Sequence, residues 1–307
     1  MILELAYEKY WNLLYGMTLT IFVLLKVFVL PSKGNVKVET AGIYSESENI
    51  EKKEMDTENG STLVTNDSFD DNNIHVKLKQ ERIADTDVYF VDIQLNSIQY
   101  LKAAFAKNTY GRNINEPTSK IAEEHGAIAA INGDFYGFRD YGYVIRNGVL
   151  YRSNYKNDTE QVFAIYDDGR CETFLSKDIS AQQLMDNGAI QMLSFGPALV
   201  ENGVVTVQES DPDDLETIAG RNPRTAIGMI EPLHYVFVVV DGRTRESVGY
   251  TFYELANVML DYGCIEAYNL DGGGSSTLYF NGKVINTPTD GITVGEREVS
   301  DIVYIGY

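Results

Sequence analysis

Two cysteines, three histidines and one tryptophan in 307 residues leave little material for several chemistries. Cys171 and Cys264 belong to no C-x-x-C, and His75, His125 and His234 add too few ligands for a Cys/His zinc site. A disulfide scaffold is excluded as well. Buried free thiols are the simpler reading of the pair, and spacing alone leaves a bridge open. The histidines form no arrangement with Ser or Cys that suggests a nucleophilic triad. Positive charge is also scarce, since 25 Lys and Arg face 45 Asp and Glu for a net charge of −20. Phosphate backbones repel such a chain, which argues against a general nucleic-acid binder. Apolar material is plentiful: 44% of the residues are hydrophobic and 11% aromatic, enough for a well-buried core.

Trp11 to Leu30 is apolar except for Asn12, Gly16, Thr18, Thr20 and Lys26, and a bilayer core takes about 20 such residues as a helix. This predicts a transmembrane anchor over 11–30 after an N-terminal tail, 1–10. A cleavable signal peptide fits less well, because Glu4 and Glu8 flank the start and no small-x-small site follows Leu30. Lys33 and Lys37 outnumber Lys9, so the positive-inside rule alone would leave the C-terminal part in the cytoplasm. Residues 31–75 hold four basic and ten acidic side chains and only Tyr44 and Phe69 as aromatics. That composition predicts an acidic, disordered linker. Residues 76–307 then form one folded domain of ordinary size.

Within that domain Tyr89, Val91, Ile93 and Leu95 alternate as a strand should, and a short helix ending near His125 precedes the apolar run Ala127 to Ile131. Asn147-Gly148, Asp168-Gly169, Asn202-Gly203 and Asn281-Gly282 each signal a type I′ hairpin, so the sheet is expected to be largely antiparallel. Tyr235 to Val240, a helix over Thr251 to Tyr262 closed by Gly263, and Cys264 to Leu270 read as strand, helix, strand. The expected fold is α+β or mixed α/β, with a mixed, largely antiparallel sheet and few helices.

Four strand ends carry candidate chemistry. Asp271-Gly272-Gly273-Gly274-Ser275-Ser276 places a carboxylate, a possible amide nest for an anion and two hydroxyls after Leu270. No Lys follows the glycines, so this is not a P-loop, and a plain Asx turn is the structural alternative. Asn132-Gly133-Asp134 ends the Ala127 to Ile131 strand, as a site or as an ordinary turn. Arg224-Thr225 enters an apolar run, where a guanidinium grips phosphate or carboxylate bidentately or forms a surface ion pair. Asp241-Gly242-Arg243 combines an acid and a base, or simply a tight turn. Thr251-x-x-Glu254 is a capping box, so Glu254 reads first as structural.

The strings AAINGDFYG, FGPALVENG, NPRTAIGM, VVVDGR and NLDGGGSSTL, in this order, resemble the phosphodiester glycosidase family over roughly residues 85–307. The resemblance implies a mixed α/β domain that hydrolyses a sugar-1-phosphodiester at the anomeric carbon. It also implies an exported domain acting on envelope or extracellular glycans, an exopolysaccharide among them. It carries over Asn132, Asp134, Arg224, Thr225, Asp241, Arg243 and Asp271 to Ser276, and it matches Glu254, adding a catalytic role to the capping one. The disulfide-rich extensions of the animal enzyme are absent, which puts substrate identity in doubt. On this basis Asp134 and Asp271 form the carboxylate pair, while Arg224, the amides of Gly272 to Gly274 and Ser275 or Ser276 clamp the phosphate. Specificity is expected in the loops Arg139 to Arg152 and Gln208 to Arg221. No cofactor is expected. Two rivals remain: a phosphodiesterase holding Mg²⁺ or Ca²⁺ on Asp134, Asp241 and Asp271, and a non-catalytic binder of phosphorylated glycan.

Overall fold

Strands form where β-branched and aromatic residues run together, and the two richest runs, Thr86–Leu95 and His234–Val240, lie side by side at the centre of the main sheet. The computed structural model describes residues 53–57, 60–209 and 220–307. The expected tail and anchor, the first part of the linker and positions 210–219 of the Gln208 to Arg221 loop lie outside the described residues. The main sheet continues from this centre through Arg224–Glu231 and Glu266–Asn269 to Ala198–Glu201, and on its other side through Ile74–Ile83. Every registered strand pair among the described residues is antiparallel.

Composition ends the linker at residue 75, yet Lys53–Thr57, Gly60–Val64 and Ser68–Asp70 are strands and Ile74–Ile83 begins before that boundary. The boundary is corrected for a local reason. Ile74 is fully buried and Phe69 packs on the core, while Asp71 Oδ1 accepts the amides of Asn73 (2.8 Å) and Ile74 (2.9 Å) and turns the chain. A few apolar side chains in a polar stretch are enough for a sheet edge.

Both faces of the main sheet are covered. One packs Tyr89, Val91, Ile93, Ile227 and Phe237 against Ile131, Phe163, Leu193 and Val303 from two further five-stranded sheets. The other packs Val88, Phe90, Val236 and Val238 under Leu255, Ala256 and Met259 of the helix Phe252–Asp261. Thr251 caps that helix in the expected capping box, and left-handed Gly263 follows its end. Arg224–Glu231 lies between His234–Val240 and Glu266–Asn269, so the strand-helix-strand segment is a crossover over one strand. The expected short helix is Thr118–Glu124, followed by the strand Ala129–Asn132.

The turns follow the dipeptide signals with one correction. Asn147-Gly148, Asn202-Gly203 and Asn281-Gly282 have both residues left-handed, as type I′ requires. At Asp168-Gly169 only the glycine is left-handed, because Tyr166 and Arg170 pair across a three-residue loop (Tyr166 N to Arg170 O, 3.0 Å) that a type I turn plus one left-handed residue closes. Cys171 and Cys264 are buried and free, and burial pushes the Cys264 thiol up to about 12.

Candidate active site

Strand register brings the four motifs together. Leu278 pairs with Ile131, so the Gly-rich stretch enters its strand where Asn132 leaves the neighbouring one. Ala226 pairs with Asn269 and Arg224 with Val240, so Arg224-Thr225 begins beside the end of the strand before Asp271 and beside the turn at Asp241. Asn132, fully buried, ties the ends: its Nδ2 donates to Asp271 O (2.7 Å), and its Oδ1 accepts from Thr225 Oγ1 (2.8 Å) and Thr277 N (3.3 Å). Asp271 N also donates to Gly133 O (3.3 Å). Asn132 and Thr225 therefore position the acid-bearing turn from within the fold.

Asp134 lies on the inner side of this junction. Its Oδ1 forms an ion pair with Arg146 Nη2 (3.0 Å) and accepts from Tyr136 N (3.2 Å), its Oδ2 accepts from Ser194 N (2.7 Å), and it is fully buried. The same Arg146 holds Asp301 Oδ2 through Nη2 (2.7 Å) and Nε (2.8 Å). Burial alone would lower the Arg146 pKa, but the two carboxylates hold it above the usual arginine range. Burial pushes the Asp301 carboxyl up to about 6 against Arg146. A Cβ on Gly133 would sit 2.1 Å from Asp301 Oδ1, so only glycine fits between the two acids. Of the expected carboxylate pair, Asp134 is thus held inside the fold, Oδ1 by Arg146 and the Tyr136 amide and Oδ2 by the Ser194 amide.

Asp271 behaves differently. It is 8% exposed, accepts from Ser275 Oγ (2.5 Å) and Arg297 Nη2 (3.4 Å), and burial raises its carboxyl above the usual range while both partners pull it back. The expected amide nest is corrected at Gly273, whose N–H donates to Pro223 O (2.9 Å), while Ser275 and Ser276 N–H close a tight turn on Gly272 O and Gly273 O. Glycine is required for this approach. Gly273 is left-handed, and a Cβ on Gly274 would sit 2.4 Å from Asp290 Oδ1.

Guanidinium groups supply the positive charge instead. Arg243, exposed and held by Asn222 Oδ1 (3.0 Å from Nη2), lies over Gly273, where an added Cβ would meet its Nη2 at 3.0 Å. Arg297 donates from Nε (3.1 Å) and Nη2 (3.0 Å) to Ser275 Oγ and from Nη2 to Gly272 O (3.0 Å). Arg224 lies deeper, stacked 4.0 Å over Phe252 and donating to Tyr250 O (2.9 Å) and Gly220 O (2.6 Å). Burial and then Arg243 push its pKa down to about 10.

The remaining candidates have partners within the protein or are buried in it. Asp241 accepts from Asn286 Nδ2 (3.0 Å), Thr287 N (3.0 Å) and Tyr89 Oη (3.3 Å), which pins the 286–287 loop; burial raises its carboxyl against these bonds. Glu254 Oε2 accepts from Thr251 N (2.9 Å) and its Oε1 pairs with Arg221. Ser276 is buried inside the turn. Among the described residues no three His, Cys, Asp or Glu group as a metal site, and Asp134, Asp241 and Asp271 each take different protein donors. Sequence reading missed Arg146, Asp301 and Arg297. A lone Arg after Val144-Ile145 and an Asp opening Ile302 to Ile305 were the available signal, since a charge in a buried strand demands a partner. Arg297, in a loop, carried none.

Residues 125–306 match the family described as phosphodiester glycosidase. An SPbeta prophage-derived uncharacterized protein, YomE, of Bacillus subtilis is 35% identical over 207 residues, 64% of this chain and 31% of that protein. The N-acetylglucosamine-1-phosphodiester alpha-N-acetylglucosaminidase of Bos taurus is 30% identical over 186 residues, 56% of this chain and 34% of that enzyme. The chain thus spans about a third of the length of these curated relatives. In fold it is similar to the catalytic domain of the zebrafish enzyme of that name, solved as auto-inhibited by its pro-peptide, with TM-score 0.59 and 19% identity over 76% of this chain and 83% of that one. A putative exported protein of Burkholderia pseudomallei is also similar, with TM-score 0.52 and 16% identity over 72% and 74% of the two chains.

Proposed function

The chain belongs to the phosphodiester glycosidase family, and from that premise we propose that it hydrolyses the glycosidic bond of a sugar-1-phosphodiester. Water oxygen joins the anomeric carbon, the C1–O bond to phosphorus breaks, and a phosphomonoester leaves. One observation carries this reading: a carboxyl raised by burial, Asp271, sits in a glycine turn bracketed by the guanidinium groups of Arg243 and Arg297. In a chain of net charge −20, this local positive charge suits an anionic linkage.

The leaving group assigns the roles. A phosphomonoester, whose second pKa is about 6, departs without a strong general acid, so stabilising its charge matters more than protonating it. Arg243 and Arg297 hold the phosphate, with Arg224 adding field from below, and removing one such donor costs about 10²–10³ in rate. Asp271 works ionised, on water or on the anomeric carbon. Asp134, through Arg146 and Asp301, keeps the Asn132 to Asp134 turn in place. No step is assigned to a metal, because the candidate carboxylates are committed to protein donors, and activity is expected to survive EDTA.

The relatives' name suggests N-acetylglucosamine as the sugar. We place the glycan in the cell envelope, exopolysaccharide included, with the domain outside the membrane and tethered by Trp11 to Leu30; the exported Burkholderia neighbour supports that side. Turnover of an N-acetylglucosamine-1-phosphodiester in ¹⁸O-water tests the chemistry. Label in the released sugar is expected; label in the phosphate would mean P–O cleavage, and no release of sugar would leave only a binder.

A further inference from the structure

A cleft of about 280 Å³ lies by the Asp134 turn, walled by Arg139, Tyr141, Lys156, Glu160, Phe195 and Pro197. It is stitched to both acid-bearing turns. Arg139 Nη2 donates to Asp134 O (3.1 Å), while Gly196 and Asn269 exchange bonds (Asn269 Nδ2 to Gly196 O, 2.7 Å; Gly196 N to Asn269 O, 3.2 Å) two residues before Asp271. Phe195 also meets Phe135, beside Asp134, edge to face at 6.5 Å.

The walls of the cleft hold polar atoms with work left over. Arg139 Nε and Glu160 Oε1 are buried without a hydrogen-bond partner, a costly state in a folded chain. A Cβ on Gly142 would meet Glu160 Oε1 at 3.1 Å and Arg139 Nη2 at 3.4 Å, so carboxylate and guanidinium flank one point without pairing. Arg139 and Glu160 thus bring one unused donor and one unused acceptor to the wall of the cleft, and a hydroxyl accepts and donates at once. Lys156 and Arg139 both lie by the Tyr141 ring, at 5.0 and 5.4 Å, and with Glu160 the one acid in its lining the cleft is net positive in an acidic chain. Phe195 and Pro197 supply the apolar wall that the CH face of a sugar needs. The volume is near the lower end of ligand sites, roughly 300–1,000 Å³, and takes one such unit.

We propose that this cleft is the leaving-group subsite, holding the hydroxylated, phosphate-bearing unit on the far side of the scissile bond, one sugar or polyol long. This rests on the glycosidase reading for the direction of the substrate, but the cleft's affinity for a sugar phosphate can be measured without it.

The test uses two diesters of N-acetylglucosamine 1-phosphate, one with methyl and one with the 6-hydroxyl of glucose as second alcohol. The ratio of their kcat/KM values is expected to fall roughly tenfold in Glu160→Gln and in Lys156→Glu, the second an exposed change that leaves folding intact. A ratio within about twofold of the parent protein in both overturns the proposal. Calorimetry with glucose 6-phosphate is the second arm: the parent protein is expected to bind it, and Lys156→Glu to bind roughly tenfold more weakly. Equal affinities, or no binding by the parent protein, overturn the subsite. If neither diester is hydrolysed, the glycosidase reading fails by itself and the calorimetric arm still decides the cleft.

Discussion

Asp271 titrates under opposing influences: burial raises its carboxyl, and Ser275 and Arg297 lower it. Because the ionised form is the working one, kcat/KM rises with pH through the folded-state pKa. Ser275→Ala removes a group that stabilises the charge, so the acid limb is expected to move to higher pH; a pH–rate profile whose limb stays or moves down would contradict the assignment. A second titration governs stability. One buried guanidinium, Arg146, serves two buried carboxylates, Asp134 and Asp301. Asp301 is raised to about 6 from an unfolded value of about 3.9, so its contribution to stability is complete below the lower value and is lost as pH rises through the upper one. Asp301→Asn mimics the protonated form and escapes that loss. Thermal melts are expected to show the variant gaining on the parent protein between about pH 4 and pH 7, and a pH-independent difference would sink the argument.

At the scale of elements, Glu254 separates a cap from a catalyst. Its carboxylate closes the capping box of the helix Phe252–Asp261 and pairs with Arg221. Glutamine preserves such a box and a half-buried, water-screened ion pair contributes modestly, so Glu254→Gln is expected to retain activity within about threefold and to cost roughly 1 kcal/mol. Loss of a thousandfold in kcat, on the order of removing a transition-state contact, would return Glu254 to the chemistry. This helix was legible because Thr251 and Glu254 stand three apart before an apolar run and Gly263 closes it. The Asn-Gly hairpins were legible for the same local reason. Ala84 and Asp85 were not: both are left-handed at the tip joining Ile74–Ile83 to Thr86–Leu95, with no glycine or asparagine to announce them. Their conformation follows from the ten-residue strands they connect.

At the scale of the molecule, the convergence of Asn132, Thr225 and Asp271 followed from strand ends that carry polar residues, and the family strings pointed the same way. What those side chains do there was not legible. Arg146 and Asp301 are 155 positions apart, and nothing local tells Asp134 to turn toward them instead of toward Asp271. The Gly273 amide was diverted for a similar reason, since Pro223 O, just before the strand Arg224–Glu231, takes its N–H. The true start of the domain was hidden by averaging over a polar segment. A chain beginning at residue 76 loses buried Ile74 and the packed Phe69, and is expected to be roughly 3–5 kcal/mol less stable than one beginning at residue 50, about 10 °C in Tm. Equal melting temperatures would restore the linker.

The central role proposed for Asp271 is to act on the anomeric centre. Release of N-acetylglucosamine from its 1-phosphodiester should drop at least a thousandfold in kcat in Asp271→Asn, with the melting temperature held, because an amide keeps the Ser275 contact. An Asp271→Asn protein that releases sugar at the parent rate contradicts it.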